Sequence, residues 1–334
     1  MLFIRADMND TIATGHMMRC LSIADAAREQ GKSAAFLLAD GQAVPLLRQR
    51  GYEAIVLDSP WDDMEAELPA LRRAVRERGI QKLLIDSYQV TPRYLEEASQ
   101  MASTVYMDDL DRFCYPVDAL VYYAADWESH HYQERYHNKL FLGPQYAPLR
   151  KAFQNCGKKR INPVAKNLLL LSGGTDPYGI LGKLLARIDR RCYERIEVIC
   201  GMYDPQYGRL QELYQGEANL HFYQAVSDME AHMSRACMAV TAGGTTLYEL
   251  CAMGVPTVSY SMADNQIPNV QKFHEMQLID YAGDIRNTDV AGHISGLLEK
   301  YQEDMSLRQE RSQRMQELVD GKGAARIADG IIKL

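Results

Sequence analysis

The chain has 334 residues, 47% of them hydrophobic and 24% charged, with a formal net charge of −7. That length supports two domains of ordinary size, each with its own core. The acidic balance leaves no electrostatic footprint for nucleic acid, and no run of about 18 uncharged apolar residues is present to span a bilayer. The sequence enters a strand-like run at once, without a basic segment or a small-residue cleavage site, so a cytoplasmic protein is expected. The seven cysteines (Cys20, Cys114, Cys156, Cys192, Cys200, Cys237 and Cys251) are odd in number and form no C-x-x-C pair. This argues against a zinc ribbon or disulfide framework and for reduced, packed thiols.

In chain order, strand-like runs lie at 1–4, 33–38, 54–57, 82–85, 104–107 and 119–122. Helical patterns at 19–30, 44–50 and 64–78 come between, with Gly31 and Gly51 placed as helix stops. This alternation predicts a parallel sheet covered by helices on both faces. After the first strand, Gly15-His16 opens an amphipathic segment with Cys20, Leu21, Ile23, Ala24 and Ala27 at helical spacing. His16 is thus expected at a helix start beyond a strand's C-terminal end, where open α/β sheets bind ligands. The helix N-terminus favours neutral imidazole, which can take a proton from water or a hydroxyl.

From 151 to 166 the chain is basic, polar and broken by Gly157 and Pro163, and reads as a linker between a domain at 1–150 and a second at 167–315. The second series has strands at 167–171, 195–200, 220–223, 238–241 and 257–260, and helices near 180–190, 205–215, 229–235 and 245–253. A last helical stretch, about 301–334, is long for one domain, and its end at 316–334 is expected to pack back on the first. Tandem α/β domains place an active site in the cleft between them.

Two glycine turns follow second-domain strands. Ser172-Gly173-Gly174-Thr175-Asp176-Pro177 is neither a P-loop nor G-x-G-x-x-G. It reads equally as a close backbone approach to a ligand and as a turn in which Asp176 caps a helix. In Ala242-Gly243-Gly244-Thr245-Thr246-Leu247-Tyr248-Glu249, amides and threonine hydroxyls at a helix start suit a diphosphate. Glu249, one turn on and on the same face, suits a ribose diol. Asn265 and Gln266 end a further strand in a polar turn that fits sugar hydroxyls and a helix cap equally well. Asp108-Asp109-Leu110-Asp111 offers carboxylates for Mg²⁺, but a solvated, capping loop is the favoured reading. His130, His131 and His137 have no further ligand cluster beside them, so no metal and no cofactor are expected.

In order and spacing these residues resemble the UDP-sugar hydrolases of the pseudaminic acid pathway, which release UDP from UDP-2,4-diacetamido-2,4,6-trideoxy-β-L-altropyranose. That family is similar to GT-B glycosyltransferases such as the N-acetylglucosaminyltransferase that makes lipid II. The resemblance runs over most of the chain, through Arg5-Ala6-Asp7, Gly15-His16 with Met18-Arg19-Cys20-Leu21, Leu84-Ile85-Asp86-Ser87-Tyr88, Asp108-Asp109-Leu110, Gly143-Pro144-Gln145-Tyr146-Ala147, Gly173-Gly174-Thr175-Asp176-Pro177 and Gly243 to Glu249. One departure is Ala13, where relatives often carry glycine.

The resemblance implies a GT-B fold, two Rossmann-like doubly wound domains facing a central cleft. It implies that His16 is the general base on water at the anomeric carbon and that Tyr88 lies near the sugar. Thr245 and Thr246 would meet phosphate, Glu249 the ribose, the backbone around Val226 the uracil, and Asn265 and Gln266 the hexose. Arg5, Asp7, Gly15, Arg19, Gly174 and Gly244 complete the expected substrate site. The implied reaction is inverting hydrolysis of a UDP-activated 2,4-diacetamido-2,4,6-trideoxyhexose to UDP and free sugar, by a monomer whose only partner is its small-molecule substrate, with no membrane insertion. Transfer of the same donor sugar to an alcohol stays open, as does a non-catalytic nucleotide-sugar-binding role.

Overall fold

The structure is a computed structural model and describes residues 1–334 apart from Asp10, Ala13 and Tyr203. It divides into two units, Met1–Lys151 with Lys322–Leu334, and Ala152–Gly321. The departure noted at Ala13 lies outside the described residues.

The first unit runs β1 (Leu2–Ala6), α1 (Gly15–Glu29), β2 (Ala34–Leu38), α2 (Val44–Gln49), β3 (Glu53–Val56), α3 (Met64–Arg78), β4 (Lys82–Asp86), α4 (Pro92–Met101), β5 (Ser103–Met107), β6 (Ala119–Tyr122), α5 (Tyr132–Arg135) and β7 (Lys139–Leu142). Its seven strands form one sheet in the order β3-β2-β1-β4-β5-β6-β7, every pair parallel. Local chemistry sets the helix ends. Asp63 accepts from the Ala66 amide at 3.2 Å to start α3, and Gly79 (φ 60°) ends it in the left-handed region. Thr91 accepts from the Tyr94 amide at 3.1 Å and Pro92 takes the first turn of α4, where its missing N–H costs nothing.

The second unit runs β8 (Asn167–Leu171), α6 (Ile180–Arg187), β9 (Arg195–Cys200), α7 (Tyr207–Leu213), β10 (Leu220–Gln224), α8 (Met229–Arg235), β11 (Met238–Ala242), α9 (Thr245–Met253), β12 (Thr257–Ser261), α10 (Ile267–Glu275), β13 (Asp280–Asp284), α11 (Val290–Glu303) and α12 (Met305–Leu318). Its sheet, β10-β9-β8-β11-β12-β13, is also parallel throughout. The chain then returns to the first unit as α13 (Gly323–Ile332), whose Ala324, Ile327, Ala328 and Ile331 are buried. Lys139 Nζ donates to the Gly330 carbonyl at 2.8 Å, and Lys82 Nζ to Ile331 and Ile332, so two cations sit at the negative end of this helix.

The expected single stretch at 301–334 is therefore three helices. Asp304 interrupts it by accepting from the Leu307 amide at 2.8 Å, and Gly321 (φ 76°) turns the chain before α13. The helix expected at 180–190 stops at Arg187, because Asp189 caps a separate short turn at Arg190–Cys192. In both sheets the strand order reverses beside the first strand, between β1 and β4 and between β8 and β11. Crevices beyond those reversal points are where doubly wound sheets hold ligands.

Candidate functional site

At the first reversal point α1 begins at Gly15, which puts His16 in its first turn, while β4 ends at Asp86, paired in register with Ala6 of β1. The two side chains meet, His16 Nδ1 lying 2.6 Å from Asp86 Oδ1. A carboxylate only accepts, so Nδ1 carries the hydrogen and Nε2 is left as the basic nitrogen. Arg19, one turn along α1, grips the same carboxylate with Nε and Nη2, each at 2.6 Å, and the Cys20 thiol reaches it at 3.4 Å. Burial works to raise the Asp86 carboxyl. The Arg19 guanidinium and then His16 outweigh it and hold the group well below the usual carboxylate range.

Tyr88, just beyond β4, sets its ring edge-on to the imidazole with centroids 4.5 Å apart. Its hydroxyl donates to Asp109 at 2.8 Å, and burial followed by that carboxylate pushes the phenol up. Arg19 Nη1 lies 2.8 Å from Asp109 and 2.9 Å from the Tyr123 hydroxyl. The His16 side chain is 9% exposed, so the ring is largely covered, with the Asp86 carboxylate and the edge-on Tyr88 ring against it.

Arg5 is fully buried. Its guanidinium holds Glu67 at 2.8 and 2.6 Å and also Asp7, while the Tyr94 hydroxyl donates to Glu67 at 2.6 Å. The other Asp7 oxygen accepts from the Ala39 amide at 2.8 Å. Arg5 and Asp7 thus stand behind the site as a buried brace between β1, α3 and α4, whereas Gly15 is exposed at the head of α1. Asp108 is turned inward, taking the hydroxyls of Tyr132 (2.6 Å) and Tyr115 (2.8 Å) and the amides of Leu110 and Asp111. His130 lies between Asp111 (Nδ1, 2.9 Å) and Asp126 (Nε2, 3.0 Å).

At the second reversal point the components are mostly backbone. Asp176 accepts from the amides of Ile180 and Leu181 at 2.8 and 3.0 Å, which makes it the cap of α6, and Gly174 is exposed. A Cβ on Gly201 would fall 1.9 Å from the Gly174 carbonyl oxygen, so the loops after β8 and β9 touch through glycine. Gly244, in extended backbone, precedes α9, and Thr245, Thr246 and Glu249 are half-buried on its first turns. The first amides of a helix lack intrahelical partners and carry its positive end. Gly243 is small for a packing reason, since a Cβ there would lie 2.1 Å from Val270 of α10. Asn265 is exposed in the turn before α10, and Gln266 Oε1 accepts from the Met262 amide at 3.0 Å, which closes that turn. Val226 is half-buried in the loop after β10.

Asp86 has no role in the sequence reading although it stands in the motif that yielded Tyr88. Its signal is an acid ending an apolar strand, Leu83-Leu84-Ile85-Asp86, beside the strand that leads to the histidine.

No protein-family model matches the chain. It is 25% identical over 196 residues to the spore coat polysaccharide biosynthesis protein SpsG of Bacillus subtilis (strain 168), a match covering 57% of each chain. This chain thus spans a little over half of that curated relative. In solved structures it is similar to Acinetobacter baumannii MurG, at TM-score 0.72 and 14% identity over 100% of this chain and 99% of that one. The calicheamicin glycosyltransferase CalG4 aligns at TM-score 0.68 and 15% identity over 99% and 97%. The fold is GT-B: two parallel-sheet α/β domains, of seven and six strands.

Proposed function

We propose that this protein is a nucleotide-sugar hydrolase that removes UDP from a UDP-activated diacetamido-trideoxyhexose. The observation that carries the reading is the His16–Asp86 pair at the first sheet's reversal point, with Nε2 left as the base. In this reading the nucleotide belongs to the second unit. The amides and hydroxyls of Thr245 and Thr246 meet the diphosphate, Glu249 the ribose, and the Val226 backbone the base. His16 Nε2 takes a proton from water as the water oxygen bonds to the anomeric carbon. The carbon–oxygen bond to UDP breaks with its electron pair leaving on the phosphate oxygen, and the anomeric centre inverts. Positive charge at the α9 N-terminus stabilises the departing diphosphate. The motifs at both reversal points, the polysaccharide-biosynthesis name of the Bacillus relative and the GT-B fold support the reading.

The glycosyltransferase structures sharing this fold favour a second reading, in which His16 deprotonates an alcohol acceptor instead. Incubation with UDP-linked diacetamido sugars in 18O-water and no acceptor decides between them. Stoichiometric UDP with label in the sugar is the hydrolase result, and intact donor is the transferase result. His16→Asn is expected to lower turnover by roughly 10²–10⁴-fold while UDP affinity, measured by calorimetry, stays unchanged. Equal loss of both would reject His16 as the base.

A further inference from the structure

We infer that Asp109 is a positioning residue for the His16 centre and the source of its net negative charge. The inference rests on the proposed use of His16 as a base. Arg19 and Asp86 close on each other through two hydrogen bonds of 2.6 Å, so the Asp86 charge faces the guanidinium as directly as it faces the imidazole. The remaining Arg19 nitrogen, Nη1, reaches Asp109 at 2.8 Å and the Tyr123 hydroxyl at 2.9 Å, and Tyr88 donates to Asp109 at 2.8 Å. One carboxylate therefore orients a side chain from α1 and the aromatic ring that abuts the imidazole.

The loop after β5 that carries Asp109 is itself fixed. On one side Asp108 is held by two tyrosine hydroxyls and two amides, and beyond it Asp111 pairs with Arg135 at 2.6 Å and with His130. Among the described residues, the charged and titratable groups recorded against the ring are Asp86 from β4, Tyr88 beyond it and Arg19 from α1. Asp109 after β5 and Tyr123 after β6 stand behind Arg19. With one guanidinium between two carboxylates the cluster keeps a net negative charge, and Asp109 supplies it. Negative charge there stabilises the imidazolium that forms as water is deprotonated.

The test compares wild type with Asp109→Asn, which removes the charge, Asp109→Glu, which restores it, and Tyr88→Phe, which removes only the hydroxyl. Steady-state UDP release is followed against pH, together with UDP affinity and the 15N resonances of the His16 ring in the unliganded protein. Asp109→Asn is expected to lower kcat/KM about tenfold or more and to move the acid limb of the profile to lower pH, with UDP affinity unchanged. Asp109→Glu recovers most of the rate and the profile. Tyr88→Phe loses rate with its acid limb in place. A rate and profile in Asp109→Asn equal to wild type would overturn the inference. If wild type releases no UDP from any sugar nucleotide, the functional reading has failed on its own. The His16 resonances then decide: displaced in Asp109→Asn they uphold the assignment, and unmoved they refute it.

Discussion

The two reversal points are built from opposite materials. Between β1 and β4 the site is made of side chains, a histidine, an arginine, two aspartates and two tyrosines brought together by bonds of 2.6–2.9 Å. Between β8 and β11 it is made of backbone, with paired glycines at both loops and a helix start bearing threonines. The same topology thus presents one surface suited to moving a proton and another suited to holding fixed anionic charge. What separates them is not the sheet but which residues follow its first and fourth strands.

The contrast breaks most sharply at Asp86. Asp86→Asn keeps the shape but lets an amide donate to Nδ1, which favours the tautomer with its hydrogen on the wrong nitrogen. Turnover should fall roughly 10³-fold, with UDP affinity untouched; a loss below tenfold would show that Asp86 does not orient the base. On the backbone side, Gly243→Ala drives a methyl into Val270 of α10. It should cost the second unit about 1–3 kcal/mol in denaturant unfolding and weaken UDP binding. Gly244→Ala, with no atom within 4 Å of its Cβ and φ of −91°, should cost far less. Equal losses would mean that Gly243 is not the packing glycine.

The smallest effect is expected at His130, where each ring nitrogen faces a carboxylate and only imidazolium can donate to both. The Asp126 hydrogen bond raises its pKa, burial opposes, and Asp111 adds to the rise, with the Tyr122 hydroxyl also within 2.9 Å and Arg135 beside Asp111. A pKa raised on folding gives stability that is fully present below the unfolded histidine value and is lost as pH rises through the folded one. Wild type should therefore exceed His130→Asn by about 0.5–1 kcal/mol near pH 5.5 and by less near pH 8.5. A difference independent of pH would remove the clamp.

Strands buried on both faces were the most legible part of the sequence, because an unbroken apolar run such as Leu168-Leu169-Leu170-Leu171 has one plausible use in an α/β chain. β13 was not legible, since Asp280-Tyr281-Ala282-Gly283-Asp284 is an edge strand with acids at both ends and a glycine inside. The apolar run at 1–4 predicts a strand that stops at Ile4. β1 continues through Arg5 because Glu67, 62 positions away, neutralises the guanidinium inside the fold. The same distance problem hid Asp86, whose partner His16 lies 70 positions upstream. Motif order gave His16 and Tyr88; the bond that selects the basic nitrogen is a tertiary fact and leaves no local pattern.

The first unit is discontinuous, with residues 152–321 interposed before α13 packs against α1. On a ribosome the interposed unit has all its strands to hand while the helix bearing His16 and Arg19 still lacks its neighbour. The unit that carries His16 therefore completes its packing last, and deleting residues 323–332 should uncover the back of α1 while leaving the later-encoded sheet able to fold.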